Sequence, residues 1–516
     1  MLRAIGFSAA ALAVIALLRL NSPGVPDPDS FYHFRHAAVY ADKGLAYAAF
    51  PWLPYSVLAR FSADIGYGFH VFLIPFTLLQ DQVFGVVLAS VIETLIVLII
   101  LYATLKRHRI AYPFAWPFVL LFLASPIIWT VFQTRPQTLS MGFVALLLSS
   151  MLAASAPGVL ASAFLIGLVH LNVFFLVPFV VVVAAVIKGI AERRWQWPLW
   201  LLALVGIVAG WLLRPNPLGV LRLERVQILV HEVVRHQGLP LLFGREWLPV
   251  SPAALSSFLY FIVIWAGLAL LAFVSLALRR HHLTREDHTF LWSTLAVSAV
   301  FFVAMLVFTK RATPFWAICA VMFSAKAFTC FLDPRDADPK NLLNQETRPI
   351  IALAVLAIFA AMIYTGLDEV YVKRMFRTAP PDRLRAASLW LKDNAQPDDT
   401  VFNVDWGMFP ELFFWNTEQR YVSGLDPIFL YAYSPKLYWE THYLQTGEAT
   451  DRTWEAYPPQ SEAAVPTYTA LRRDFDASYL ILAIRQNPRL YEYLRQDPRF
   501  ALGFADESYA VFALRK

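Results

Sequence analysis

Charged side chains are scarce in this chain of 516 residues: they make up 16% of it, against the roughly 25% usual for a soluble protein. A water-soluble fold of this size is therefore excluded. Cysteine is nearly absent. Cys319 and Cys330 fall in one apolar segment and read as filler, so there is no disulfide framework and no redox compartment to infer. No internal repeat or low-complexity tract occurs. No basic patch with interleaved aromatics stands outside short loops, which removes nucleic acid as a partner. The first apolar run lacks a small-x-small cleavage site, since Leu18-Arg19-Leu20-Asn21 is a poor one, and is read as a retained helix rather than a leader.

What is present is hydrophobic residue in blocks. Apolar residues make up 58% of the chain and cluster in runs of about 17–24, the length that crosses roughly 30 Å of hydrocarbon. The chain reads as a polytopic membrane protein. Basic clusters orient it: Lys106 to Arg109, Lys188 to Arg194 and Arg279 to His282 belong on the cytoplasmic side. Crossings are expected near 4–20, 82–105, 112–131, 138–155, 158–170, 173–188, 197–213, 255–278, 289–308, 312–332 and 349–366, about eleven in all. A single long helix over 158–188 is the competing reading, but it places one basic cluster outside. The preferred path pins His170-Leu171-Asn172 near the outer face.

This threading predicts a transmembrane domain over 1–366, with long outer loops at 21–81 and 214–254. A compact α+β domain follows over 367–516, outside the cell or inner membrane. Within the tail an amphipathic helix is predicted near 382–394, and strands at Thr400 to Val404 and Ala477 to Leu482. In the first loop, Pro23, Pro26 and Pro28 stiffen the exit from the membrane, and Asp29 or Ser30 is placed to cap a helix running to about Asp42.

Three stretches carry chemistry. Asp27-Pro28-Asp29-Ser30-Phe31-Tyr32-His33-Phe34-Arg35 sets a carboxylate at a helix mouth, followed by aromatics and a cation. Thr309-Lys310-Arg311-Ala312-Thr313-Pro314 puts two cations at the outer end of a span, where the positive-inside rule disfavours them. An anionic ligand such as a phosphate justifies them; snorkelling into headgroups is the plainer alternative. Gln133-Thr134-Arg135-Pro136-Gln137 adds another outer arginine, or simply a Pro-initiated helix start. His170 and Asn172 sit at the same level. Glu93 lies in mid-span, where a charge is functional by default or else protonated or paired. Arg245-Glu246-Trp247 offers either a sugar-stacking surface or a structural ion pair.

The Asp29-x-Phe31-Tyr32-His33-Phe34-Arg35 run resembles the first-loop motif of the catalytic subunit of oligosaccharyltransferases, members of the GT-C superfamily of polytopic glycosyltransferases. A second similarity runs from Ala387 to Leu412, where Asp405, Trp406 and Gly407 match the last three places of the family's acceptor-binding WWDYG motif, with Asn403 and Val404 replacing its leading tryptophans. The resemblance implies that Asp29 is the essential carboxylate, and that Arg311, Lys310 and Arg135 bind the donor phosphate. His33, Arg35, His170, Asn172, Glu246 and Trp247 are assigned to the substrate. Asp405, Trp406 and Gly407 would meet the acceptor. A divalent metal, Mg or Mn, is implied with Asp29 as its ligand, although the 133–137 turn contains no second acid to complete its set.

The function so implied is inverting transfer of a sugar or oligosaccharide from a polyprenyl phosphate or diphosphate to an acceptor protein or glycan at the outer bilayer surface. Two other classes stay open: a flippase for a lipid-linked substrate, against which stands the lack of paired broken helices, and a catalytically silent scaffold of envelope glycan assembly.

Overall fold

The computed structural model describes residues 2–21, 24–173, 175–193, 195–230, 244–277, 283–332, 347–374, 380–446 and 467–515. Arg194, Arg279, Arg280, His281 and His282, used above as topology markers, lie outside them, as do Pro23, residues 231–243 of the second long loop and the side chain of Arg245.

Among the described residues six helices are long and apolar enough to cross a bilayer: Leu2–Leu20, Gln82–Arg107, Leu171–Glu192, Pro252–Ala277, Arg285–Val307 and Lys310–Phe331. A seventh arises if Trp197–Leu212 and Pro217–Val230, bent by 105°, form one span. Pro136–Leu152, Ala156–Val169 and Leu353–Leu367 are apolar but shorter. This is a multi-pass membrane architecture. The helix expected over 112–131 is instead two short pieces, Trp116–Leu121 and Ser125–Val131. Pro126, which has no N–H to give the preceding turn, accounts for the break. The alternative of one helix through 158–188 is excluded, because Ala156–Val169 ends at His170 and Leu176–Glu192 begins anew after a single turn at Leu171–Val173.

The segment Thr313–Phe331 is buried on every side: Trp316 is wholly enclosed, edge-on to Phe258 and Phe261. A helix hydrophobic all round belongs at the centre of a bundle. At one end of the bundle Arg107, Arg109, Arg285 and Lys326 gather around a common opening. The other end is built from the helix starts at Pro136 and Thr313 and the helix ends at Val169 and Val307.

The tail carries a five-stranded sheet: β1 (Thr400–Asn403), β2 (Arg420–Tyr421), β3 (Ala477–Ala483), β4 (Phe500–Ala505) and β5 (Tyr509–Leu514), in the order β2-β1-β3-β5-β4. β1 is parallel to β2 and β3, while β5 runs antiparallel to β3 and β4, with Leu480 opposite Phe512. The predicted amphipathic helix is Arg385–Asn394. The tail shares its core with the first loop. Tyr32, Phe50 and Leu53 pack with Phe409, Phe413 and Tyr421, and Phe31 meets Phe414 at 4.8 Å between ring centroids. Each buried aromatic there is worth about 1.5–3 kcal/mol of transfer free energy.

Candidate active site

The helix Asp29–Lys43 begins directly after Pro28, whose backbone is already helical and whose side chain caps nothing. The expected cap by Asp29 or Ser30 does not form. Ser30 instead accepts the amide N–H of Thr134 at 3.1 Å, and the Asp29 carboxylate pairs with the guanidinium of Arg135. Asp27 binds the same guanidinium through its Nε. A charge-assisted pair outcompetes a neutral cap, and a guanidinium presents enough donors for two carboxylates. Glu93, wholly buried in Gln82–Arg107, lies beside the backbone of Arg135.

A second pair faces the first. Arg311, at the mouth of Thr313–Phe331, meets Glu246 at 3.2 Å and lies 3.7 Å above the centroid of the Trp247 ring. The Thr309 hydroxyl donates to the Glu246 carbonyl at 2.8 Å and holds the two segments together. His170 closes Ala156–Val169, its Nδ1 3.0 Å from the Ser140 hydroxyl, and the Asn172 amide lies 2.9 Å from that of Gln227.

These groups line one cleft of about 790 Å³: Asp29, His33, Arg135, His170, Asn172, Glu246 and Arg311, together with Gln137, Asp64, His70 and, from the tail, Asp426. Seven of the residues singled out in the sequence thus converge from five separate stretches of chain. Burial pushes the Asp29 carboxyl up to about 7; Arg135 opposes the rise and Asp27 reinforces it. Burial also raises Asp27 against the pull of Arg135. Asp426 is pushed up to about 6, again by burial, against its hydrogen bond from the Ile428 amide and the charge of Arg311. At Glu246 burial is outweighed by Arg311 and Arg135, which hold that carboxyl below its usual range.

Five other assigned residues lie elsewhere, and Trp247 borders a neighbouring groove. Arg35 points away from the cleft, bonding the Phe414 carbonyl and ring face in the tail and, at 2.9 Å, Oε1 of Gln82 at the start of Gln82–Arg107. Lys310 is not among the lining residues; its backbone N–H is held by the Leu248 carbonyl at 2.9 Å. Asp405, Trp406 and Gly407 form a local turn in which Asp405 accepts the Gly407 N–H at 2.8 Å, and the tail reaches the cleft through Leu425, Asp426 and Phe429 instead. A divalent ion at Asp29 does not fit the donor set: Asp27 and Asp29 are both engaged by Arg135 and Glu246 by Arg311.

Sequence reading overlooked Asp64, His70 and Asp426. The Asp64 carboxylate takes His70 Nδ1 at 2.7 Å, and His70 Nε2 lies 2.8 Å from His33 Nδ1. The histidines His33 and His36, one turn apart, were the available signal for a polar face on this helix, but nothing local names their partners.

A groove of about 1080 Å³ adjoins the cleft. Phe301, Phe308, Phe315, Leu176 and Ile228 give it apolar walls, Trp247 borders it, and Gln137, His170, Asn172, Gln227 and Arg311 belong to both spaces.

No family model and no curated protein matches the chain. Solved structures do. The chain is similar to ArnT from Cupriavidus metallidurans in its apo state, at 14% identity and TM-score 0.55, over 99% of this chain and 97% of that one. It is similar to the same enzyme bound to undecaprenyl phosphate at 13% identity and TM-score 0.57. Arabinofuranosyltransferase AftD from Mycobacteria matches at 14% identity and TM-score 0.57 over 99% of this chain, which spans 40% of that longer protein. With a multi-pass helical bundle and a sheet-bearing tail, the chain shares the overall fold of ArnT and of the matching part of AftD.

Proposed function

We propose that this protein is an inverting membrane glycosyltransferase that moves a sugar or oligosaccharide from a polyprenyl phosphate or diphosphate to an acceptor. One observation carries the reading. The polar cleft and the apolar groove meet at Arg311, which places a cation at the junction where a lipid phosphate must sit if its tail lies among Phe301, Phe308 and Phe315. One structural neighbour, ArnT, was solved with undecaprenyl phosphate bound, which agrees with such a donor.

In this mechanism Asp29 receives or orients the proton of the acceptor nucleophile as it attacks the anomeric carbon from the face opposite the phosphate. Arg135 fixes the carboxylate in place. The C–O bond to the phosphate breaks, and the charge that grows on the departing oxygen is met by Arg311 in a site of low dielectric. His170, Asn172 and Glu246 border the sugar's space. Arg135 supplies at Asp29 the positive charge that a metal supplies in the resembling family.

The same reading places the cleft end of the bundle outside. The basic opening around Arg107, Arg109, Arg285 and Lys326 is at the opposite end and takes the cytoplasmic side. The tail, which contributes Asp426 to the cleft, then lies outside as a domain over 367–516. The shorter apolar helices complete a count near eleven crossings.

The test uses purified full-length protein in vesicles with a labelled polyprenyl-phosphate sugar and a mixture of envelope acceptors. Release of labelled sugar from the lipid, dependent on the protein, is the expected result. Movement of intact donor between leaflets without release identifies a flippase, and neither outcome identifies a scaffold; both overturn the proposal.

A further inference from the structure

A cluster beside the cleft takes no part in this chemistry. We propose that His36, Asp64 and His70 bind one divalent transition-metal ion of the zinc class. The proposal stands apart from glycosyl transfer, since it rests on a separate set of side chains.

Three observations support it. The first is convergence. One ligand atom from each of the three residues lies within 4.8 Å of the others, and all three side chains are buried. Ligands of a tetrahedral zinc at about 2.0–2.1 Å stand roughly 3.3–3.4 Å apart, so closing on an ion draws the widest pair together by no more than about 1.4 Å. The edge between His70 Nδ1 and Asp64 Oδ2, at 2.7 Å, is a hydrogen bond that the ion would replace as the two atoms part slightly.

The second is orientation by outer partners. Metal-binding imidazoles almost always have their other nitrogen held by a hydrogen bond, and ligating carboxylates are held likewise. Here His36 Nδ1 lies 3.1 Å from the Tyr32 hydroxyl, and His70 Nε2 lies 2.8 Å from His33 Nδ1. Asp64 Oδ1 accepts the Gly66 N–H at 2.8 Å, and the Tyr40 hydroxyl donates to Oδ2 at 2.9 Å. Each ligand is thus held by an outer partner: His36 Nε2 is turned to the ion, while His70 Nδ1 and Asp64 Oδ2, hydrogen-bonded to each other, reach it when the His70 proton is given up.

The third is the donor chemistry. The rings of His36 and His70 stack at 4.3 Å, with His33 5.1 Å from His70, around a single buried carboxylate. Two imidazoles and one carboxylate select zinc or a neighbouring first-row ion over magnesium or calcium, which prefer all-oxygen sets. Three protein ligands are the number found where a fourth position stays open. Asp64 and His70 both border the cleft, so that position faces it. The ion would tie the helix Asp29–Lys43 to Tyr67–Thr77 and so hold in place the helix that begins at Asp29.

The experiment takes full-length protein purified on a tag free of histidine, stripped by a chelator, and titrated with no donor lipid present. Cobalt(II) is followed by its visible d–d absorption, zinc by displacement of that band, and metal content by mass spectrometry. One ion per chain is expected. His36→Gln and His70→Gln lose the band, while Tyr32→Phe keeps all three ligands and weakens zinc binding about 10–100-fold. Asp29→Asn leaves the titration unchanged while abolishing transfer, which separates this site from the proposed activity. Failure of the unaltered protein to take up cobalt or zinc overturns the proposal whatever the variants do. So does a His70→Gln protein, intact by size-exclusion chromatography, that binds as tightly as the original.

Discussion

Two segments of this chain resemble motifs of the same glycosyltransferase family, and the structure treats them differently. Asp29 enters a cleft shared by distant stretches of chain, whereas Asp405 turns back onto the Gly407 amide two residues away. The difference lies in what each carboxylate finds nearby. Asp405 precedes a turn whose free N–H is within reach, and capping it costs no long-range order. Asp29 follows a proline that already has helical backbone angles, so its carboxylate is free for Arg135, 106 residues later in the chain. A motif becomes a site when its polar group is left unsatisfied locally.

Substitutions test that contrast, beginning with the greatest effect. Asp29→Asn should lower transfer by about 10²–10⁴-fold, the range for a lost general base, with folding and membrane insertion kept; wild-type turnover in that variant would falsify the catalytic assignment. Arg135→Gln strands two half-buried carboxylates. Part of the roughly 3–5 kcal/mol that breaking a fully buried ion pair costs should appear as a lower thermal midpoint alongside lost activity.

The pH profile sharpens the comparison further. Asp29 accepts a proton only when ionised. With its carboxyl near 7, transfer should rise with pH through that value and drop about tenfold per unit below it. Asp27→Asn removes a negative neighbour that pushes Asp29 up, so the rising limb should move to lower pH. Movement of the limb to higher pH, or none, contradicts the pairing. Arg35→Ala should cost about 1.5–3 kcal/mol of stability, measured by denaturation, because a charged donor at the seam with the tail is lost; transfer per folded molecule should hold. Smallest of all is Asp405→Ala. It removes a turn cap worth about 1 kcal/mol and should leave acceptor KM unchanged; a raised acceptor KM would return that turn to the site.

Much of the helical framework was legible because hydrophobic length is a one-dimensional property. The runs at 4–20 and 82–105 correspond to helices Leu2–Leu20 and Gln82–Arg107, and the turn at His170 follows from the need to return the chain to the correct side. The break at Ser125-Pro126 was written in the sequence and passed over, since the apolar run continues through it. In the first loop the pattern showed the helix starting near Asp29 but not the second helix, Tyr67–Thr77, that packs on it and brings His70 to the cleft. Arg311 was legible as a charge out of place, and Glu246 as part of either a sugar-stacking surface or an ion pair. Their mutual pairing over Trp247 was not, because it joins segments 65 residues apart.

The amino-acid order by itself determined that this is a multi-pass membrane protein with an acidic, aromatic first loop and cations at particular helix mouths. Composition and spacing act through local physics: the thickness of hydrocarbon and the price of a stranded charge are the same in any fold. Tertiary structure alone decided which charges meet. It gave Arg135 to Asp27 and Asp29, sent Arg35 to the tail, turned Asp405 onto Gly407 and Gln445 and gathered His36, Asp64 and His70, because pairing energies in a buried site depend on distances that only the packed chain sets.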